Sequence, residues 1–210
     1  KSLGKHPSLA SVRALDLSSS KLEPEGLRAL ASSRYATGLV RLAIRRNFAA
    51  IPYGDLSALC DADALEGLRA LDLSYNALNS AALAGRASWR RLAALEELSL
   101  AHTRVGDEAV SALVTKKSAP KLNRLDLSGS EVTAGVLGPL EKLVTRGALR
   151  FIDLSYTACT PTDVVLLARA LPAGGVVRVR RFPGRAARNA SERAKLRTLL
   201  DSCAGALQVV

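Results

Sequence analysis

Aromatic residues are scarce in this chain of 210 residues, making up 4% of it. Histidine and cysteine are scarcer still: His6 and His102, then Cys60, Cys159 and Cys203, all far apart. So small a stock of imidazole and thiol offers no metal-ligand spacing, and no nucleophile stands beside a base in sequence. No Gly-rich phosphate loop is present either. These absences weigh against catalysis, and no cofactor, metal or small-molecule substrate is expected. Three scattered cysteines also give no disulfide framework. They read as buried or free thiols in a reducing compartment. The expected location is therefore intracellular, the cytoplasm or an organelle such as the mitochondrion. Asn189-Ala190-Ser191 matches the glycosylation triplet, but the same cysteine usage reads it as unmodified. No apolar run approaches the roughly 18 residues of a membrane-spanning helix. The chain opens on Lys1 without a secretory pattern, and its ends read as cuts through something longer or processed.

What the chain does have is a repeat. Leu68 to Leu78 reads LRALDLSYNAL, with apolar residues at its first, fourth, sixth and eleventh positions and Asn76 at its ninth. The same frame starts at Val12, Leu39, Leu68, Leu95, Leu122, Leu149 and, in worn form, Val176. The interval between starts is constant except for one slightly longer step, from Leu39 to Leu68. A fixed period of this kind, here roughly 27 residues, marks a solenoid. The first half of each repeat alternates with period two, which predicts a short strand. After the eleventh position the period lengthens to that of a helix. Residues Gly106 to Val114 show this change, with Asp107 and Glu108 in an expected first helical turn, where acidic side chains suit the dipole. Pro24 and Pro161 lie near expected helix starts. Leu27, Leu30, Leu56, Leu59, Val110, Leu113, Leu166 and Leu167 are expected to face inward from the outer helices. Trp89 is expected to pack between helices, and Cys159 to join the core.

These residues resemble a leucine-rich-repeat protein over about residues 12–184, and the repeat length is similar to the ribonuclease-inhibitor-like subtype. The resemblance implies an α/β horseshoe, with parallel short strands on a concave face and helices on the convex face. Residues 1–11 read as an N-terminal lead or the remnant of an upstream repeat. Residues 185–210 read as a basic loop, an amphipathic helix over 191–200 capped by Ser191, and a terminal strand near Leu207. The ninth position reads Ser20, Asn47, Asn76, Thr103, Ser130 and Thr157, so its hydrogen-bond ladder is expected to be looser than one built from asparagine throughout. The second repeat lacks an apolar eleventh residue, for which Phe48 or Ile51 is the expected substitute. In the seventh repeat the frame from Val176 puts Arg181 at a buried position, so either the strand frays there or Val179 is its last inward residue.

Function is read from the outward columns. The third runs Ala14, Arg41, Ala70, Glu97, Arg124, Phe151 and Arg178, and the eighth runs Ser19, Arg46, Tyr75, His102, Gly129, Tyr156 and Pro183. Tyr75, Phe151 and Tyr156 thus share one surface with Arg41, Arg69, Arg124 and Arg150. Tyr and Arg are the residues that most often anchor interfaces, so this face is the expected protein-binding site. Phe151 is expected to be exposed between Arg124 and Arg178, either as an anchor or as a lone surface aromatic. Asp16, Asp72, Asp126 and Asp153 share the fifth position. Only Asp126 and Asp153 are on adjacent strands, where like-charge repulsion would raise a carboxyl pKa unless Arg124 and Arg150 offset it. The resemblance leaves room for a GTPase-activating role that no residue here singles out.

Net charge is +11, and more than half of it lies in the segment from Arg178 to Val210. Arg178, Arg180, Arg181, Arg185, Arg188, Arg193, Lys195 and Arg197 stand there against Glu192 and Asp201. Such asymmetry points to RNA or an acidic partner at that end. The expected function is a non-catalytic scaffold, a protein-interaction subunit of a larger assembly. The alternative is a structural component of a ribonucleoprotein such as a ribosome, touching RNA through the basic segment.

Overall fold

A computed structural model describes residues 3–47, 58–78, 80–81, 92–114, 119–146, 149–180, 198 and 207–209. Expectations for Phe48, Ile51, Leu56, Trp89, Arg181, Pro183, Arg185, Arg188, Ser191, Arg193, Lys195, Arg197 and Cys203 lie outside these residues. Of the helix expected over 191–200, Thr198 alone is described, and it is helical.

Each repeat gives one short strand: β1 Ala14–Asp16, β2 Arg41–Ala43, β3 Ala70–Asp72, β4 Glu97–Ser99, β5 Arg124–Asp126, β6 Phe151–Asp153, β7 Val176–Val179 and β8 Leu207–Val209. They pair in parallel, in chain order, as one open sheet. Parallel neighbours need a crossover, and the second half of each repeat supplies it. The crossovers include α1 Pro24–Ala31, α2 Asp107–Leu113, α3 Leu137–Thr145 and α4 Pro161–Ala170, with short 3-10 turns at Ala36–Gly38 and Asp63–Leu65. Pro24 and Pro161 are the first residues of their helices. At α4 the Thr160 hydroxyl and Asp163 carboxylate cap each other's backbone N–H groups, satisfying donors the helix leaves open.

The alternation LxL drives the inner face of the sheet onto the helices. Leu71, Leu98, Leu125 and Ile152 in the fourth position, and Leu73, Leu100, Leu127 and Leu154 in the sixth, are buried. They form one continuous core with Leu27 and Leu30 of α1, Leu59, Val110 and Leu113 of α2, and Leu167 of α4. Leu166 departs from expectation: it lies 47% exposed on α4 while Leu167 is fully buried, because adjacent helical residues point about 100° apart. Cys60 and Cys159 are free and buried. Burial pushes the Cys60 thiol up and the Cys159 thiol to about 11, so neither is a thiolate near neutrality.

The seventh strand corrects the sequence frame. Val176 pairs with Phe151 and Val177 with Ile152, so Val176 occupies the third position of its repeat and not the first. Val177 and Val179 are its buried residues. Arg178 consequently moves from the third column to the fifth, beside Asp153. Val179 holds the sixth position, where the frame from Val176 had put Arg181.

The ninth-position ladder is uneven, as its composition predicts. Asn76 donates to the Ile44 and Leu73 carbonyls at 3.0 and 2.8 Å and accepts from the Asn47 N–H at 2.9 Å. Asn47 likewise accepts from the Ser20 and Leu22 N–H groups and donates to the Leu17 carbonyl. Both asparagines therefore join successive repeats. The hydroxyls of Thr103, Ser130 and Thr157 donate to the carbonyl three residues back, within their own repeat.

Candidate functional site

The outer face of the sheet is built from the residues that the core alternation rejects. Where the chain leaves each strand, the eighth-position N–H donates to the seventh-position carbonyl of the next repeat: Tyr75 to Ala101, His102 to Ser128 and Gly129 to Ser155. Keeping that ladder while turning toward the crossover forces the eighth residue into left-handed backbone. Ser19, Arg46, Tyr75, His102, Gly129 and Tyr156 have φ of 54, 52, 58, 52, 64 and 59°. For a residue other than Gly this conformation costs roughly 1–2 kcal/mol, and Asn and Asp tolerate it best. Five of the six residues are neither Gly, Asn nor Asp. Ser19 isolates that cost, because its side chain is exposed. Ser19→Asn is expected to raise stability by about 0.5–1 kcal/mol, read as a higher urea midpoint at unchanged slope.

The strained positions carry a connected row of side chains. The Arg46 guanidinium lies 4.6 Å from the centre of the Tyr75 ring. Tyr75 stacks on His102 at 4.5 Å between centroids, with 18° between planes. Gly129 comes next, and it has no side chain because His102 lies over it: a Cβ there would sit 2.4 Å from Nδ1 of His102. By leaning across that gap, His102 reaches within 6.4 Å of the Tyr156 ring, two repeats along. Tyr75 and Tyr156 remain 45% and 50% exposed. The result is a continuous aromatic rim along one edge of the sheet face. His102 belongs to it although the sequence reading placed no role on it; its place in the same column as the two tyrosines was the available signal.

Beside the rim lies a groove of about 310 Å³ whose lining includes all three rings, Asp72, Asp126, Asp153 and small seventh-position residues. A broader trough of about 490 Å³ crosses β1 to β5, over Ala14, Ala43, Ala70 and Ser99. Small residues at these outward positions leave the sheet open to a bound segment.

A leucine-rich-repeat family model matches residues 8–31 and 94–114, and these matches fall on the repeats that the strand register joins into one parallel sheet. The fold is a leucine-rich-repeat solenoid. No curated protein matches the sequence. Among solved structures, an internalin from Listeria monocytogenes is similar over 90% of this chain at 19% identity, with a TM-score of 0.41. The solenoid spans 59% of that internalin chain.

The solenoid's sequence-predicted site residues fall into separate groups. Tyr75 and Tyr156 share the rim. Phe151 stands in a second group and is half-buried, contrary to the exposed aromatic that was expected. Arg124 lies 3.7 Å and Arg178 5.0 Å from its ring centre, so two guanidiniums cover its faces. Arg69 pairs with Glu96 of the next repeat at 3.1 Å. Arg41 and Arg150 are exposed, in the third and second columns. Arg178 faces Asp153 at 3.8 Å, and Arg180 follows β7 with its N–H donating to the Ser155 hydroxyl.

The solenoid's fifth-position carboxylates have a structural duty. In each of Asp16, Asp72, Asp126 and Asp153, Oδ1 accepts the N–H of the serine two residues on, at 2.8–2.9 Å. This closes the strand with an Asx turn. Their electrostatics then diverge. Asp16 is held below the usual carboxylate range by its bonds to Ser18, with help from Arg45. Arg45 also reaches Asp72, at 3.6 Å. Asp126 is pushed up, first by burial and then by Asp153, while Ser128 and Arg124 pull the other way. Repulsion from Asp153 is thus present, as the sequence implied, but desolvation is the larger cause. A raised folded-state pKa means the folded chain holds its proton to higher pH than the unfolded chain does. This group's contribution therefore falls as pH rises above its ordinary 3.8. Asp126→Asn keeps the acceptor for Ser128, so it should match or exceed the parent's stability at pH 7 and lose that advantage near pH 3. Paired urea titrations at the two pH values check this; a relative loss at pH 7 would contradict it. Among the described residues no cluster of His, Cys, Asp and Glu is arranged to hold a metal, and no helix is long and apolar enough to cross a membrane.

Proposed function

We propose that the outer face of the sheet docks a protein partner, and that the chain is a non-catalytic scaffold or subunit of a larger intracellular assembly. One observation carries this reading. Arg46, Tyr75, His102 and Tyr156 occupy left-handed positions where Asn or Gly would cost the fold less, and they line up as an exposed ring ladder. Strain of this kind gathers where a side chain serves something other than stability, and Tyr and Arg are the usual anchors of interfaces. Phe151, flanked by Arg124 and Arg178, extends the surface, to which Arg150 beside it and Arg41 and Arg69, three to four strands away, are also assigned. The length of the repeat, and crossover helices as short as α2 and α4, support the ribonuclease-inhibitor-like subtype. The array is taken to run over residues 12–184, with the basic segment at 185–210 a separate element.

That segment supports a second reading. The excess of arginine and lysine from Arg178 onward suits contact with RNA phosphates in a ribonucleoprotein. One comparison separates the two. In the first reading, Phe151→Ala with Tyr156→Asn weakens association by about 2 kcal/mol or more, and association depends only weakly on salt. In the second, Arg185→Glu with Arg188→Glu and Arg193→Glu abolishes it, the affinity falls steeply with salt, and the aromatic pair has no effect. Asn is chosen at Tyr156 because it tolerates the left-handed backbone.

A further inference from the structure

The polar tips along the aromatic rim have no partner. The hydroxyls of Tyr75 and Tyr156 and the imidazole of His102 are exposed and make no hydrogen bond among the described residues. Ring faces inside the row are already occupied. Tyr75 lies between the Arg46 guanidinium and the His102 ring. The 6.4 Å between the His102 and Tyr156 centroids is too short for another ring to enter, which takes about twice the roughly 3.5 Å contact distance between carbon atoms. From Arg46 to Tyr156, a ligand therefore meets the row at its donor groups and along its ring edges, which carry positive potential. Both call for an acceptor. The sheet-side groove is the one that follows the whole row. All three rings line it, whereas a second hollow, of about 450 Å³, reaches Tyr75 and His102 but not Tyr156. The sheet-side lining sets Asp72, Asp126 and Asp153 against Arg45 and Arg180. It offers an anion no net attraction, so the acceptor that suits it is uncharged.

Resting on the proposal that this face docks a protein, we propose that the groove receives a proline-rich segment of that partner in the polyproline II conformation, its carbonyls accepting from Tyr75, His102 and Tyr156. Peptide carbonyls are uncharged acceptors, but they do not arrive here on a β-strand. The row crosses β3 to β6, each paired on both sides, and an added strand needs an open edge. Polyproline II needs none. It has no internal hydrogen bonds and leaves its carbonyls open, and proline brings no N–H that would require an acceptor. Aromatic-lined grooves are the usual seats of such segments, which come already ordered. The repeat also fits. Equivalent residues recur every third position, about 9 Å apart. Tyr75 and His102 are 4.5 Å apart, and Tyr156 is 6.4 Å from His102 along the row. A proline seated at the Tyr75–His102 pair therefore has the third residue on at Tyr156.

The test adds nonaproline, a Gly/Ser nonapeptide or a nine-residue oligouridylate to the full chain and follows the imidazole signals by NMR. The chain has two histidines, so His6→Gln identifies the His102 signal. Nonaproline should shift that signal with a Kd about tenfold or more below that of the Gly/Ser peptide, whose chain must first be ordered. Tyr75→Phe with Tyr156→Phe keeps the rings and their stacking and removes two donors. It should raise the Kd for nonaproline about tenfold. Equal binding of the Gly/Ser peptide, no response to nonaproline, nonaproline binding unchanged in the Phe variant, or tighter binding of the oligouridylate at the His102 signal overturns the proposal. Should it be overturned while Phe151→Ala with Tyr156→Asn still weakens partner association, the docking face stands and only the proline-rich occupant falls. Partner association that survives the aromatic substitutions removes the docking face itself.

Discussion

Replacing Leu98 by alanine is expected to destabilise the protein by about 2–5 kcal/mol. Leu98 is the inward residue of β4, 2% exposed, and pairs in register with Leu71 on one side and Leu125 on the other. Both neighbours are fixed by their own backbone ladders, so the wall of leucines cannot collapse into the space left behind. The cost is then the lost transfer energy plus an open cavity. In a solenoid each repeat rests only on its neighbours, so a fault in a middle repeat weakens the packing on both sides. A urea titration reads the effect. A loss below about 0.5 kcal/mol, less than the cost of a conservative core change, would mean that Leu98 is not in the core.

Asn76→Ala is expected to cost about 3 kcal/mol or more. The side chain is 1% exposed, and its removal strands the Ile44 carbonyl, the Leu73 carbonyl and the Asn47 N–H. A buried polar group left unpaired costs about 1–3 kcal/mol. Water entering the vacated space recovers part of the sum. Asn76→Thr should fall between parent and alanine. Thr103 and Thr157 show that a threonine hydroxyl at this position bonds the carbonyl three residues back. It replaces the bond to Leu73, but the two bonds that tie adjacent repeats are lost. Urea midpoints in the order parent, threonine, alanine are the expected result; a threonine variant as stable as the parent would show that the bonds between repeats contribute little.

The strands were legible because the same constraint is written repeatedly. Inward leucines at the fourth and sixth positions recur in a fixed register, and Leu42, Leu71, Leu98, Leu125 and Ile152 come out as lateral neighbours. The seventh strand escaped for a definite reason. A two-residue slip preserves the in–out alternation of a strand, since that alternation has period two. Val177 and Val179 therefore fit either frame, and only the improbable buried Arg181 marked the wrong one. Leu166 and Leu167 were inseparable without knowing which helical face meets the core.

The site was legible by column and not by contact. Sequence puts Tyr75, His102 and Tyr156 in one row, but the left-handed backbone that aims them comes from hydrogen bonds to the following repeat. His102 joins the rim only because Gly129 leaves space beside it. The covering of Phe151 likewise depends on how Arg124 and Arg178 lie across strands, and the correct place of Arg178 depends on the register of β7. The serine two residues after each fifth-position aspartate was readable in all four repeats. It marks those carboxylates as turn formers before any functional meaning.

Site-specific photo-crosslinking tests the central claim most directly. A benzophenone-bearing amino acid is placed at Tyr156 on the rim and, separately, at Leu166, exposed on the helical side at 47%. Irradiation in the cells that make this protein should give a discrete protein adduct from Tyr156 and none from Leu166. Adding Tyr75→Asn to the Tyr156 probe should diminish that adduct. Adducts from Leu166 alone, or crosslinks to RNA with no protein adduct at the rim, would contradict the account.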